Sequence, residues 1–320
     1  MSDVVSKFLL LSVLLGASTV AGWAARKLGW LKEAWAEPVM TGVFLAYSVV
    51  GFLSIWIIRM SVSDFWLPGL GAVHVILMTG LGLAAGRAFF RDRAEAGLFG
   101  IAAGMGNNGA TMGAFVAYLL YGGEGLGLSS VLCAMWTPLV VVFLFPIARG
   151  YSPQRPEGSL ARLIFRSVFD WRSIGLPLAI AGIVLSLCRV DYPPVLLQWK
   201  VMDILMWGST AMAYFGIGMR LHVSHVWGYR KSLALLAVAR FAVAGAVGVG
   251  LCLLTGLTRW PLEGTARSVF VMQTFVPTAV TMVAMANMFR LRPEQASILF
   301  VLNTFMYVIL VLPFVLWFFR

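Results

Sequence analysis

Ten stretches of about 20 mostly apolar residues, each long enough to cross a bilayer as a helix, fill nearly the whole chain. They run over 4–25, 37–58, 67–87, 94–121, 125–147, 174–190, 196–219, 232–254, 263–289 and 293–319, with short charged or Pro/Gly-rich turns between them. A soluble core could not hide this surface, because 60% of the 320 residues are hydrophobic, 12% are charged and the mean hydropathy is +0.89. The reading is an all-α integral membrane protein of ten transmembrane helices, with the lipid bilayer as its surroundings. The first stretch is a retained helix, since Arg26 and Lys27 follow it and do not precede it as in a signal peptide.

A net charge of +11 would suggest nucleic acid in a soluble protein, but in a membrane protein the placement of Lys and Arg reports topology. With loops alternating between faces, most of the 24 basic residues fall on one side, among them Arg26, Arg87, Arg149, Arg230 and Arg290. That side is expected to be cytoplasmic, with both termini outside a plasma membrane of the bacterial inner-membrane kind and the 149–172 loop inside. No nucleic-acid partner is needed. Cys133, Cys188 and Cys252 are scattered in apolar stretches, and His222 and His225 have no Cys or carboxylate beside them, so neither a metal nor another cofactor is expected. Residues 158–171 place Leu160, Leu163, Ile164, Val168 and Trp171 on one helical face and Arg162 and Arg166 on the other, the pattern of an interfacial connector.

A search for internal repeats finds one constant offset. Thr111 and Thr278 stand 278 − 111 = 167 positions apart, and the same shift pairs Ala46-Tyr47 with Ala213-Tyr214, Met105 with Met272, Val116-Ala117 with Val283-Ala284, and Pro146 with Pro313. The chain thus divides into a first five-helix repeat at 1–150, a linker at 151–173 and a second repeat at 174–320. Five is odd, so the second repeat enters the membrane from the opposite face and the repeats are inverted, as in many secondary transporters.

In the fourth stretch, Gly104-Met105-Gly106-Asn107-Asn108-Gly109 puts three glycines and two asparagines at mid-membrane depth. Each Gly costs a helix about 1 kcal/mol relative to Ala. At the matching place in the ninth stretch stands Gln273-Thr274-Phe275-Val276-Pro277-Thr278, where proline removes an amide donor. Either patch alone would pass for a packing device. Their coincidence under the shift predicts that helices four and nine break and cross, with half-helix N-termini facing a polar or anionic ligand. The expected substrate-binding residues are Asn107, Asn108, Gly109 and Thr111 from the first break, Gln273, Thr274, Pro277, Thr278 and Thr281 from the second, and Arg240.

Gly106-Asn107-Asn108-Gly109 resembles the Gly-Asn-Thr-Gly signature of auxin efflux carrier and malate permease-like transporters, within the bile acid–arsenite–auxin carrier superfamily. Val276-Pro277-Thr278-Ala279-Val280, followed by Arg292-Pro293-Glu294-Gln295-Ala296-Ser297 and ending at Pro313, is similar to that family's closing segment. The resemblance implies ten helices, a scaffold and a transport domain, a crossover of helices four and nine, and movement of a small organic anion. Asn107 and Asn108 inherit the polar role of the first crossing, Pro277 and Thr278 that of the second. The family's frequent Pro in the second and seventh helices is absent, with Val49-Val50-Gly51 and Ile217-Gly218 in its place. More distant relatives carry bile acids with sodium and use acidic side chains beside the crossing, and none stands between 104 and 112 or 273 and 281 here. The coupling ion, proton or sodium, is left open, as is the oligomeric state, a homodimer included.

Arg240 lies roughly 12 Å along the eighth stretch in apolar surroundings, either as counter-charge to an anion or as a paired structural residue. Asp203 is expected near the headgroups, and His74 as a packing residue. An intramembrane enzyme is the rival class, but a Ser or Cys nucleophile with a nearby His, paired aspartates and a His-Glu-x-x-His motif are all missing. A helical receptor would not need matched helix breaks.

Overall fold

A computed structural model describes residues 2–153, 174–221 and 226–319, together with 159, 162 and 165. His222, His225 and most of the expected interfacial helix at 158–171 lie outside the described residues. What is described is helical throughout, joined by turns and one isolated backbone bridge.

The first half comprises α1 (Ser2–Lys27), α2 (Ala36–Ile57), α3 (Trp66–Phe89), α4 (Arg93–Gly104) and α5 (Gly113–Leu132). After α5 come α6 (Trp136–Leu139), a π-helical turn at Val140–Leu144 and α7 (Phe145–Tyr151). The second half comprises α8 (Gly175–Leu187), α9 (Pro194–Gln198), α10 (Val201–Met219) and α11 (Arg230–Val238). A π-helical turn at Ala239–Val243 leads into α12 (Ala244–Thr255), followed by α13 (Gly264–Thr274) and α14 (Val280–Phe289). Last come α15 (Pro293–Met306), a π-helical turn at Tyr307–Val311 and α16 (Leu312–Phe318).

Six continuous helical runs among these are long and apolar enough to cross a membrane: Phe8–Lys27, Glu33–Ile57, Val62–Phe89, Gly113–Tyr151, Arg230–Thr255 and Pro293–Phe318. Large apolar side chains stay exposed on them, among them Val13, Val142, Ile309 and Phe314, as lipid contact allows and water does not. The other expected spans meet shorter pieces. The fourth is cut after Gly104, and its second piece continues into the fifth through a kink at Gly122, whose φ of 61° suits glycine. The seventh is cut at Lys200, which is left-handed with φ 48°.

Local chemistry explains several boundaries. Asp92 caps α4 by accepting from the Ala94 amide at 3.3 Å. Pro293 opens α15 at a position where its missing amide costs nothing. Pro146 and Pro313 each deny a hydrogen bond to the carbonyl four residues back, and the backbone before each widens into a π turn. Those two π turns begin at Val140 and Tyr307, and the helical pieces after the breaks begin at Gly113 and Val280. All these pairs stand at the 167-residue offset found in the sequence.

Two packing groups form. α1, α2, α8 and α10 pack on one another, while α3 packs on α4, α13 on α12 and on α5, and α15 on α11 and α14, and the packing of α2 on α5 joins the two. The α1–α10 contact is close because Gly22 faces the Phe215 carbonyl and Gly218 faces the Thr19 carbonyl. Gly218→Val would drive a branched side chain into that carbonyl, and its expected cost is about 1–3 kcal/mol. Thermal unfolding of the purified protein should show a clear fall for this variant. Gly16→Ala, on α1 with open space around it, should leave the midpoint unchanged or raise it.

Candidate functional site

α4 stops at Gly104 because the next residues, Met105 to Met112, leave helical geometry. Met105 is extended, at φ −88° and ψ 95°. α13 stops at Thr274, and Ala279, before α14, is also extended at φ −77° and ψ 147°. An opened backbone in a membrane must find partners for its amides and carbonyls. The two openings supply them to each other.

Gly106 and Thr278 form an antiparallel bridge. The Asn107 amide donates to the Pro277 carbonyl at 2.7 Å, and the Ala279 amide donates to the Met105 carbonyl at 2.8 Å. Pro277 suits its place because it lends a carbonyl and has no amide to leave unpaired. Thr278, 0% exposed, ties the bridge to two more helices. Its hydroxyl donates to the Ala102 carbonyl of α4 at 3.0 Å, and its amide donates to Asn303 Oδ1 of α15 at 2.9 Å.

Arg240 makes the second tie. It sits in the π turn Ala239–Val243, 0% exposed, and its guanidinium reaches the crossing from the side. Nε and Nη2 donate to the Val276 carbonyl at 3.1 and 2.8 Å, and Nη1 donates to the Ala103 carbonyl at 3.0 Å. Ala103 lies in the last turn of α4, and Val276 follows the end of α13. The Ala103 carbonyl is at the negative end of the α4 dipole. Gly106 has no side chain at the point where a Cβ would come within 2.5 Å of Nη2. Next to this clamp, His74 Nε2 bonds the Ala244 carbonyl at 3.0 Å, which makes it a satisfied packing residue.

The loop from Asn107 to Met112 folds back on the start of α5. The Gly113 amide donates to the Asn107 carbonyl at 2.9 Å, the Ala114 amide to the carbonyls of Asn108 and Gly109 at 3.0 and 3.1 Å, and the Met112 amide to that of Gly109 at 3.1 Å. Thr111 donates its hydroxyl to Asn107 Oδ1. The amides of Asn108 and Gly109 have no carbonyl partner among the described residues. Asn108 is half-buried, and Gly109 is exposed with open space where a side chain would stand.

The expected residues therefore separate. Asn107, Asn108, Thr111, Pro277, Thr278 and Arg240 meet at the crossing. Gln273 approaches it from α13, with Oε1 3.0 Å from where a Cβ on Gly113 would lie, while Nε2 donates to Ser129 Oγ at 2.6 Å. Thr274 turns toward Gly248 of α12 and bonds its own helix at the Val271 carbonyl, 2.6 Å away. Thr281 is half-buried on α14. Buried polar atoms without a partner among the described residues include Asn107 Nδ2, Asn108 Oδ1, Gln273 Oε1, Thr281 Oγ1 and Asn303 Nδ2. Such atoms are costly in an apolar setting and mark a place suited to a polar ligand.

Asn303 and Ser129 belong to the constellation although the sequence reading passed over them. Their signal was present, since each is a polar side chain within an apolar stretch. Asp203, by contrast, is half-buried in the first turn of α10 and accepts from the Tyr118 hydroxyl, with no part in the crossing.

At one end of the bundle, Arg292 donates to Asp92 at 2.6 Å, and Gln295 and Ser232 both donate to Glu95, at 2.7 and 2.9 Å. Burial would raise the Asp92 carboxyl, but the Arg292 guanidinium and the Ala94 and Glu95 amides outweigh it and hold its pKa below the ordinary value. Lys231 donates to the Phe89 carbonyl and Arg93 to the Gly150 carbonyl at the same end. These bonds join the ends of α3, α4, α7, α11 and α15 away from the crossing.

Among the described residues no cluster of three metal-ligating side chains occurs. No family model matches the chain, and no curated protein matches it either.

Proposed function

We propose that this chain is a secondary transporter that carries a small organic anion by alternating access, with the paired helix breaks as its binding site. The observation that carries the reading is the antiparallel pairing of Met105–Asn107 with Pro277–Ala279 amid unpartnered buried polar atoms. A purely structural helix pair has no need to open two backbones at mid-membrane and then rejoin them.

In this reading the ten spans are two inverted five-helix repeats, and α4–α5 and α13–α14 are the broken helices four and nine. The group α1, α2, α8 and α10 is the scaffold, and the group around the crossing is the moving part. The basic end around Arg93, Arg149, Lys231 and Arg292 is cytoplasmic. Alternating access exposes Asn108 and Gly109 first to one side and then to the other, while the crossing stays intact.

Anion selectivity follows from the donors. The amides of Asn108 and Gly109, the amide groups of Asn107 and Asn303 and the start of α5 all favour negative charge, and no Asp or Glu stands between 104 and 112 or 273 and 281. The organic-anion class rests also on the resemblance to auxin efflux carriers and malate permeases. Arg240 contributes its field from behind the crossing, because its N–H groups are already held by carbonyls.

Two experiments test the reading. In proteoliposomes loaded with mixed carboxylates, Asn107→Ala should cut anion flux about tenfold or more, on the scale of one lost charge-assisted hydrogen bond, and Pro277→Ala, which adds an amide at the break and frees its backbone, should cut it as well, the protein staying monodisperse in both. Wild-type flux from both variants, or carriage of cations only, would contradict it. In a background without native cysteines, Gly109→Cys should react with a small hydrophilic thiol reagent, and a transported anion should slow the reaction. Thr278→Cys, at a fully buried position, should stay unlabelled. Equal labelling at both positions would remove the proposed water access.

A further inference from the structure

Among the described residues Arg240 is a cation held by backbone carbonyls alone, and this arrangement points beyond its presence near the site. A buried guanidinium is normally matched by a carboxylate, because desolvated charge is costly. Here the partners are the carbonyls of Val276 and Ala103, at 2.8–3.1 Å. Ala103 lies in the last turn of α4, so its carbonyl carries the partial negative charge of an unsatisfied helix terminus, and Val276 lies two residues beyond the last residue of α13, its carbonyl turned to the same point. Two carbonyls converging on one buried point form an electronegative hole of the kind that binds an alkali cation in broken-helix carriers.

We infer that the Arg240 guanidinium fills a carbonyl-lined cation site at the crossing, a tethered substitute for an ion that would otherwise have to bind. The inference rests on the transporter reading above and deepens it by assigning the coupling regime: the carrier needs no sodium or other alkali cation to assemble its crossing. Three features support the substitution. The side chain leaves a π turn, which the flanking helices α11 and α12 do not continue, so the backbone is locally rewound where Arg240 projects. Gly106 is vacant at the place the guanidinium crosses, with a Cβ there only 2.5 Å from Nη2. Asn108 Oδ1 also crowds that point and has no partner of its own, an additional neutral oxygen for a small cation. The repeat-related position, by the 167-residue offset, is Val73, so the charge is present in one half of the molecule only.

The role is one of positioning. Arg240 holds Ala103 and Val276 together, and with them the bridge that orients Asn107 and Thr278. A free cation could do this equally well, whereas an ordinary packing residue could not be replaced by salt.

The test uses the full chain in detergent or nanodiscs, with thermal unfolding followed at constant ionic strength in sodium, potassium, choline or guanidinium chloride, the last kept at low millimolar concentration. The wild type should unfold at the same temperature in sodium, potassium and choline. Arg240→Ala should unfold several degrees lower in choline and recover in a saturable way with sodium or with guanidinium. Arg240→Gln, which keeps more of the volume, should show the same dependence, and Arg240→Lys should show a weaker one because the ammonium cannot bridge both carbonyls. If Arg240→Ala yields no folded protein in choline, recovery of folded protein when cells and buffers are supplied with sodium or guanidinium supports the claim equally. A wild type that needs sodium overturns the inference, as do variants that fold but ignore every cation, and variants that fail to fold in all of them. Anion flux is measured in parallel. Cation rescue of unfolding without any flux, in the wild type as well, would leave the cation site standing and defeat the transporter reading.

Discussion

Two helices opened within an apolar bundle must find partners for their freed amides and carbonyls, and this one constraint organises the molecule. Each unpaired amide or carbonyl in hydrocarbon costs several kcal/mol, so two helix breaks can persist only if they answer each other. They do so through the reciprocal bonds Asn107 to Pro277 and Ala279 to Met105. The rest of the local structure serves that exchange: Thr278 anchors it to α4 and α15, and Arg240 holds the carbonyls of Ala103 and Val276. Asn107, Thr111 and Gly113 close the loop back on the start of α5.

Those same bonds explain how a rigid crossing can adjoin a responsive site. Backbone pairing and the Arg240 clamp use the Met105 to Asn107 side of the loop, while Asn108 is half-buried with its Oδ1 turned toward Gly106 and Gly109 is exposed with open space around it. In the proposed transport cycle, these groups are carried on that base while the α1, α2, α8 and α10 group moves against the rest. The glycine contacts that bring α1 close to α10 lie within that group.

Much of this was legible from residue types, and the remainder was not for a physical reason. The run of glycines and asparagines at 104–109 and the proline at 277 announced two breaks, because both chemistries oppose a helix. Pro146 and Pro313 likewise marked the π turns, although their meaning emerges only with the backbone in view. The partners of Arg240 could not be read, since they are carbonyls of Ala103 and Val276, and a backbone carbonyl leaves no letter in a sequence. The two readings of Arg240, counter-charge or structural pair, looked equal for that reason, and the geometry favours the second. Thr274 stood beside the proline and looked like a site residue, but it lies on the last turn of α13, where the helical rotation turns it to Gly248. Spacing from a break does not by itself tell which way a side chain faces.

The central claim is that the two breaks are joined backbone to backbone, and residue-resolved amide hydrogen exchange in lipid nanodiscs tests it most directly. The Asn107 and Ala279 amides, being donors in the bridge, should exchange slower than those of Asn108 and Gly109 by a factor of about a hundred or more. Fast, equal exchange at all four amides would mean that the crossing is not paired, and the site built on it would have no foundation.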